Sequence, residues 1–325
     1  LEQFNVKVIL DYGVEGGDYG EEEKDRSRDQ FIKVVDYAAT QESIPFMSIK
    51  VTGIVRFGLL EKMDTLMHQQ EGTLIKRYEK TLTLLSDEER AEWQRLWDRM
   101  EMICQDGAAK NVGVLIDAEE TWIQDPVDAL VTLMMDRFNK EKAIVYNTAQ
   151  MYRHDRLQFV KDCYEAAVQR NFILGMKLVR GAYMEKERKR AAEHGYPSPI
   201  QPDKESTDRD FNAAVEFCID HIDRVALIVA SHNEYSNLLT TQLMDQRGIR
   251  HEHPHVHLSQ LYGMSDHITF NLAKAGFSVS KYLPFGPIKD VVPYLMRRAQ
   301  ENSSVKGQTG RELSLLVKEI KRRGL

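Results

Sequence analysis

The sequence has few of the features that mark secreted, membrane-spanning or nucleic-acid-binding chains. Its 325 residues include only three cysteines, Cys104, Cys163 and Cys218, whose wide spacing forms no CxxC pair and no metal-binding pattern. They indicate free thiols in a reducing compartment. No apolar run reaches the roughly 18 residues that a membrane-spanning helix needs. A formal net charge of -6 argues against nucleic acid as the main partner.

Several catalytic and nucleotide-binding motifs are also missing. No GxGxxG follows an apolar run, and the glycines between positions 13 and 20 stand in an acidic loop without the Lys and Ser/Thr of a phosphate-binding loop. There is no Gly-x-Ser-x-Gly elbow, which argues against a serine hydrolase. Alternate residues from His251 to His257 are histidines, but most precede a predicted strand, at the face opposite a barrel's active site. We therefore expect no metal there.

Short apolar runs alternate with amphipathic stretches along the chain. The runs predict strands at 6–12, 46–52, 111–117, 143–149, 174–182, 224–231, 255–261 and 277–283. The stretches predict helices at 27–42, 55–80, 86–106, 125–140, 155–170, 184–194, 207–221, 234–248, 265–275 and 290–302. The charged run 21–26 is interpreted as a solvated connection and 195–206 as a long loop. Eight strand–helix alternations predict an α/β fold, a (β/α)8 TIM-type barrel forming a single catalytic domain over 1–325.

Polar residues stand at the carboxyl ends of the predicted strands, where a barrel has its active site. They are Asp11, Lys50, Asp117, Asn147, Lys177, His232, Gln260 and Tyr282. Contact with solvent explains any one of them equally well. The whole set favours a functional site, because unpaired polar groups in a buried position are costly. Asp117 and Lys50 end neighbouring strands, so we expect them to form an ion pair.

Two adjacent arginines form a second candidate site near the end of the chain. Tyr294, Arg297, Arg298 and Glu301 are spaced at i, i+3, i+4 and i+7, so on a helix they share one face. Paired guanidinium groups beside a tyrosine suit a carboxylate or a phosphate. The same residues also fit a solvated basic turn at the C-terminus of a helix.

Five segments together resemble the proline dehydrogenase family, flavoenzymes on a distorted (β/α)8 barrel. The segments are Ile116-Asp-Ala-Glu-Glu120, Lys177-Leu-Val-Arg-Gly-Ala-Tyr183, Ser231-His-Asn233, Tyr282-Leu-Pro-Phe-Gly286 and Tyr294-Leu-Met-Arg-Arg-Ala-Gln-Glu-Asn302. The resemblance extends from Leu10 to Leu313 and is strongest to the monofunctional, eukaryotic-type branch. It implies FAD-dependent oxidation of L-proline to 1-pyrroline-5-carboxylate, the first step of proline catabolism, with a quinone-type electron acceptor.

The resemblance also implies roles for individual residues. Arg297 and Arg298 would bind the proline carboxylate, and Glu301 would orient them. The other substrate-pocket residues would be Lys50, Asp117, Leu261, Tyr282 and Tyr294, with Lys177 also catalytic. FAD would be surrounded by Ala118, Asn147, Lys177, Val179, Arg180, Gly181, Ala182, Lys204, Ser231, His232, Gln260 and Leu261. Some relatives carry Arg where this chain has Lys177 and Gln where it has Asn147. Tyr282 would favour proline over hydroxyproline.

The resemblance further implies where such an enzyme works. It predicts at most peripheral membrane contact, at the cytoplasmic face of a bacterial inner membrane or on the matrix side of a mitochondrion, with no transmembrane segment. The relatives' N-terminal helical arm has no counterpart in this sequence.

Two other functions fit the residues without the resemblance. In a class I aldolase-like barrel, Lys50 or Lys177 would form a Schiff base with a carbonyl acid. A non-catalytic barrel would bind a small acid as a sensor or scaffold. Borohydride trapping on a colourless protein would favour the aldolase, and stabilisation by a ligand without turnover would favour the sensor.

Overall fold

Eight parallel strands close into a barrel in the computed structural model of the chain, which describes residues 1–13, 20–288, 291–292, 295–296 and 308–324. The strands are β1 (Lys7–Tyr12), β2 (Phe46–Ile49), β3 (Gly113–Ile116), β4 (Val145–Gln150), β5 (Leu174–Val179), β6 (Val225–Ala230), β7 (Val256–Leu261) and β8 (Val279–Phe285). Each pairs with the next, and β8 pairs with β1, with Ile9 opposite Tyr282. The predicted (β/α)8 barrel is confirmed, and every predicted strand is present.

Helices surround the barrel and cover the outward faces of the strands. They are α1 (Glu21–Ala39), α2 (Phe57–His68), α3 (Leu74–Leu82), α4 (Asp87–Lys110), α5 (Gln124–Phe138), α6 (Arg156–Arg170), α7 (Met184–His194), α8 (Lys204–Asp220), α9 (Glu234–Gln246) and α10 (Asp266–Lys274). A further helix, α11 (Gln308–Arg323), follows in the sequence, and its apolar residues Leu313 and Leu316 are exposed. Outward-facing strand residues such as Met47, Ile49 and Leu258 are completely buried against this layer. Burial of both strand faces explains why the strands read as nearly continuous apolar runs.

A second apolar layer fills the amino-terminal half of the barrel interior. Ile9, Leu115 and Ile228 pack there together with the rings of Phe46 and Tyr146, which meet edge to face at 5.7 Å. Two glycines make the space for these rings: a Cβ on Gly113 would overlap Phe46, and a Cβ on Gly175 would overlap Tyr146 and the strand backbone. We call this layer the aromatic floor. It leaves the carboxyl half of the barrel to polar side chains.

The interpretation of residues 21–26 as a solvated connection was wrong, because they form the first turns of α1. Acidic residues are favourable at a helix N-terminus, and the backbone N–H of Gly20 donates to Glu23 Oε2 at 3.0 Å. The charges of Glu21 and Asp25 bind a partner helix: Arg99 of α4 donates to both, at 2.7 and 2.8 Å. A charged run therefore serves here as a helix–helix contact.

Three helix predictions need comment. The stretch predicted as one helix at 55–80 is two, α2 and α3, separated at Gly72, whose φ is 119°, and capped by Thr73. Helix α11 was not predicted, although its apolar residues from Leu313 to Ile320 follow a helical period. The predicted helix 290–302, with Tyr294, Arg297, Arg298 and Glu301, falls largely outside the described residues, and these four lie wholly outside them.

Candidate active site

A cavity of about 730 Å³ opens at the carboxyl ends of the strands. Of the predicted site residues within the described part of the chain, all except Asp11 and Asn147 line it. These are Lys50, Asp117, Ala118, Lys177, Val179, Arg180, Gly181, Ala182, Lys204, Ser231, His232, Gln260, Leu261 and Tyr282. Residues scattered over more than two hundred positions of sequence are thus brought together at the barrel mouth, as the alternation of strands and helices predicted.

Asp117 is the centre of a hydrogen-bonded cluster at one end of this cavity. Its Oδ1 accepts from the hydroxyl of Ser48 at 2.7 Å and from the ammonium of Lys177. Its Oδ2 accepts from Lys50 Nζ at 3.2 Å and from the hydroxyl of Tyr282 at 2.8 Å. Four donors from three other strands therefore hold one carboxylate, and the predicted ion pair of Lys50 with Asp117 is present.

The charge state of the cluster follows from these contacts. Burial acts to raise the pKa of Asp117, but the charges of Lys177 and Lys50 and the hydrogen bonds outweigh burial and hold that pKa well below its ordinary value. Asp117 is therefore a permanent anion at neutral pH and a poor base. Its function in the cluster is to fix two ammonium groups and a phenol at the cavity wall.

Strand alternation explains why these particular side chains meet. Ser48 and Lys50 are two residues apart, so both side chains point into the barrel. The β2–β3 register pairs Ile49 with Ile116, which places Lys50 beside Asp117 at the next step. Lys177 on β5 also points inward, with its Nζ 5.4 Å from the centre of the Tyr282 ring. The cluster thus spans the barrel mouth.

Arg180 provides the positive charge of a second region of the cavity. Its guanidinium group donates to Asp208 Oδ1 and to Ser231 Oγ, both at 2.7 Å, and to Ser236 Oγ at 3.0 Å. Burial lowers the pKa of Arg180, and the neighbouring Asp208 carboxylate opposes that effect. Lys204 pairs with the same Asp208 carboxylate. Two cations are therefore held close together by one anion, a donor set suited to a phosphate-containing ligand.

The backbone after Arg180 lies bare along the cavity wall. Gly181 has a φ of 137°, and a Cβ there would lie 2.5 Å from the ring of Tyr152, so a side chain would be both strained and obstructed. The next N–H, of Ala182, donates to Gln150 Oε1 at 3.1 Å. Small residues at this point let a large flat ligand approach the backbone closely.

Comparison with known proteins identifies the family. The model of the proline dehydrogenase family matches residues 1–311. The chain belongs to this family. It is 34% identical to the carbapenem antibiotics biosynthesis protein CarD of Pectobacterium carotovorum, over 99% of this chain and 79% of that protein. It is 33% identical to proline dehydrogenase 1 of Dictyostelium discoideum, over 99% of this chain and 61% of that protein.

Two further comparisons concern a related activity and the fold. The chain is 34% identical to the hydroxyproline dehydrogenase of Xenopus laevis, over 94% of this chain and 68% of that protein. The crystal structure of proline utilization A from Bdellovibrio bacteriovorus superposes with a TM-score of 0.77 at 20% identity, covering 94% of this chain and 31% of that one. That likeness shows the barrel fold. The chain thus spans less than two thirds of some of these proteins.

One predicted cofactor residue lies elsewhere. Asn147 is fully buried on the outer side of β4, where its Nδ2 donates to Asp128 Oδ1 at 2.9 Å. Arg156 donates to the other oxygen of the same carboxylate at 2.7 Å. The cavity side of β4 is formed by Thr148 and Gln150, so Gln150, and not Asn147, is the amide at the mouth. Because Tyr146 packs inside the barrel, alternation along β4 places Thr148 and Gln150 inside and Asn147 outside.

Sequence reasoning also missed residues beyond the strand ends. The cavity wall is completed by the start of α7 and by the proline-rich loop before α8, with Tyr183, Met184, Arg188, Gln201, Pro202, Asp203 and Thr207. Tyr183 stands in one of the segments that carry the resemblance, and residues 201–203 stand in the predicted long loop, but in this part of the wall the resemblance implied a site role for Lys204 alone. Long loops carry such contacts in many barrels, but their fold depends on distant partners.

The histidine run lies at the amino-terminal side of the barrel. His251 contacts Asp245 at 2.9 Å, while His255 Nδ1 lies 2.7 Å from the carbonyl oxygen of Ile222. His257 is buried inside the barrel, with its ring 5.1 Å from that of Phe46. These contacts give the histidines separate structural roles. Among the described residues, no helix combines the length and the apolar character needed to cross a membrane.

Proposed function

We propose that the protein oxidises L-proline to 1-pyrroline-5-carboxylate, with FAD as the hydride acceptor and a quinone-type compound as the final electron acceptor, in the first step of proline catabolism. One observation carries the proposal: a single cavity joins the Asp117 cluster to the bare backbone and paired cations around Arg180. The first region suits a small zwitterion and the second suits a phosphate-linked cofactor. Membership of the proline dehydrogenase family supports the same pairing.

The residues present fit FAD. The cavity volume of about 730 Å³ is typical of a site for a large organic ligand. Arg180 and Lys204 would meet the diphosphate, while Gly181 and Ala182 would admit a flat ring against the backbone. Ser231, His232 and Gln150 add hydrogen-bonding groups to the same wall. When bound, FAD supplies the hydride acceptor, and the protein supplies position and electrostatics.

The Asp117 cluster would bind and orient the substrate. Lys50 and Lys177 present positive charge to the cavity, and Leu261 and Tyr282 present apolar and aromatic surface to the carbons of a five-membered ring. Holding the ring in one orientation fixes which carbon faces the hydride acceptor, and such orientation is a large part of catalysis in general. Arg297 and Arg298, with Tyr294 and Glu301, remain the predicted clamp for the carboxylate.

The contacts of the two lysines weigh against the aldolase alternative. A Schiff-base lysine must lose its proton to become a nucleophile. Both Lys50 and Lys177 instead donate hydrogen bonds to the ionised carboxylate of Asp117. At rest each ammonium group is thus engaged with that carboxylate, whereas a Schiff-base lysine presents a free amine to the carbonyl carbon of its substrate. Peripheral membrane contact and the quinone remain parts of the proposal that the family suggests.

The absorbance spectrum of the purified protein tests the proposal. We expect the bands of an oxidised flavin, and we expect anaerobic L-proline to bleach them. The matched control is the ring acid in which oxygen replaces the proline nitrogen, which should bind without bleaching because it cannot form an imine. Re-oxidation of the bleached protein by a soluble quinone, faster than by dissolved oxygen, would support the electron acceptor. A colourless protein trapped on lysine by borohydride and a carbonyl acid would instead establish the aldolase.

A further inference from the structure

Asp11 is a second carboxylate beside the Asp117 cluster. It is the penultimate residue of β1 (Lys7–Tyr12), points into the barrel and is only 1% exposed. It is absent from the cavity wall, where Lys50 and Asp117 are both present. Asp11 therefore cannot touch a ligand in that cavity, and any role in the reaction must pass through another side chain.

Lys50 is the side chain that connects Asp11 to the cavity. Its Nζ lies 3.6 Å from Asp11 Oδ1 and 3.2 Å from Asp117 Oδ2, so one ammonium group stands between two carboxylates. Asp11 Oδ1 accepts no hydrogen bond from the residues that the structure describes. A buried carboxylate oxygen that accepts no hydrogen bond destabilises the ionised form of the acid. It would be stabilised by gaining a proton.

The carboxylates of Asp11 and Asp117 differ in how readily they gain a proton. Burial raises the pKa of Asp11, Lys50 opposes the rise, and the neighbouring charge of Asp117 adds to it. The remaining groups that act on Asp11 are Tyr282 on β8 and Lys177 on β5. Asp117 keeps its bond to Lys177 whatever happens at Lys50. Environments that separate two acids in this way assign the proton to one of them.

We propose that Asp11 is a positioning residue for Lys50 and the final acceptor of the proton that the substrate nitrogen loses. This inference rests on the proposed function. Removing hydride from the carbon beside a protonated ring nitrogen requires that nitrogen to lose a proton first, because its lone pair forms the new C=N bond. In the described part of the cluster, the Nζ of Lys50 lies at the cavity wall and also next to the Asp11 carboxylate, whose Oδ1 accepts no hydrogen bond.

The proton transfer balances without any further reactant. Lys50 passes one proton to Asp11, which breaks an N–H bond and forms an O–H bond. The resulting amine of Lys50 then takes a proton from the substrate ammonium group and returns to its original state. The hydride and its electron pair go to the cofactor of the proposed function. The net change within the protein is one proton gained by Asp11.

The first test compares the holoenzyme with its Asp11→Asn variant by the rate of anaerobic flavin bleaching at saturating proline. We expect the variant to be slower at pH 7 by on the order of 100-fold, a typical effect of losing a proton acceptor. Its rate should then rise steadily with pH, because it can use only substrate whose nitrogen is already neutral. The wild-type rate should level off at lower pH.

Control measurements separate this role from a structural one. Asp64→Asn removes another buried carboxylate, one that pairs with His68 outside the cavity, and should leave the pH profile unchanged. Binding of the oxygen-ring analogue to Asp11→Asn, measured by calorimetry, should stay within about twofold of wild type, because the analogue brings no ammonium proton. Flavin content should not change.

A measurement on the wild-type holoenzyme covers the case in which Asp11→Asn does not fold. Infrared difference spectra recorded on bleaching by proline should show the C=O stretch of a newly protonated carboxyl group, shifted in heavy water. Absence of that band overturns the inference, as does an Asp11→Asn pH profile that is lowered uniformly and keeps its shape. If proline fails to bleach even the wild-type protein, the proposed function fails and this inference fails with it.

Discussion

Glu119 offers the clearest test of the electrostatics around the site. It stands two residues after Asp117 and is 7% exposed. Its Oε2 accepts from the hydroxyl of Thr52 at 2.7 Å and its Oε1 from the backbone N–H of Thr52 at 3.3 Å. Burial, with the neighbouring charge of Glu120, raises the pKa of Glu119 from its ordinary 4.5 to about 7. Glu119→Gln keeps the shape and the contacts with Thr52 while removing the charge.

The sign and size of the effect follow from this pKa. Below pH 4.5 the acid is protonated in both the folded and the unfolded chain, and the charge has no effect on stability. Between pH 4.5 and about 7 the unfolded chain ionises first, so the folded state loses stability as pH rises. Since one pKa unit corresponds to about 1.4 kcal/mol, the full penalty above neutrality is on the order of 3 kcal/mol. Glu119→Gln should recover most of it.

Urea unfolding followed by tryptophan fluorescence at pH 5, 6, 7 and 8 measures this difference. The gain in unfolding free energy of Glu119→Gln over wild type should be below about 1 kcal/mol at pH 5 and should approach about 3 kcal/mol at pH 8. The matched control is Glu92→Gln, which breaks the buried pairing with Arg56 and Lys24 and should destabilise at each of these pH values. A Glu119→Gln difference that does not change with pH would refute the reasoning.

Three further predictions concern single residues. Burial, reinforced by the charge of Lys7, lowers the pKa of His257 to about 4, so the unfolding free energy should fall as pH drops from 6.5 towards 4. In urea titrations His257→Phe should abolish the share of this fall that comes from His257. An unchanged fall in the variant would contradict the prediction. Tyr282→Ser should lose proline activity, while its kcat/KM for hydroxyproline relative to proline should rise by a factor equivalent to about 1–3 kcal/mol. An unchanged ratio of the two kcat/KM values would show that Tyr282 does not set specificity. Arg297→Ala or Arg298→Ala should weaken proline binding by several kcal/mol, since each charged hydrogen bond contributes about 1.5–3 kcal/mol, with flavin content intact; near-normal affinity in either variant would exclude the carboxylate clamp.

The barrel could be predicted because its determinants are local. Each strand is an apolar run followed by a polar residue, and the closing of such a sheet brings the polar ends to one rim. Lys50, Asp117, Lys177 and Tyr282 met at the mouth for this reason. Their types and strand-end positions were visible in the sequence, and their approach to one another follows from topology alone.

Other features depend on contacts between distant parts of the chain. The end of β4 lies at Gln150 because its backbone continues to pair with β5 as far as Val179, and that pairing decides whether Asn147 faces the cavity. The helical state of residues 21–26 depends partly on Arg99 in α4. The burial of Asp11 depends on the closure of β1 against β8. None of these partners is close in sequence, so local patterns could not reveal them.

The aromatic floor has a consequence for how this barrel can diversify. Because Gly113 and Gly175 admit no side chain without displacing Phe46 or Tyr146, tolerance of mutation should be low at the base and should increase towards the rim. The rim residues that choose the ligand stand above a layer whose packing does not involve them, apart from Tyr282. Selection can therefore exchange ligand-contacting side chains one at a time without disturbing the packing that stabilises the fold. A barrel with such a base is well suited to acquire new substrates by small steps.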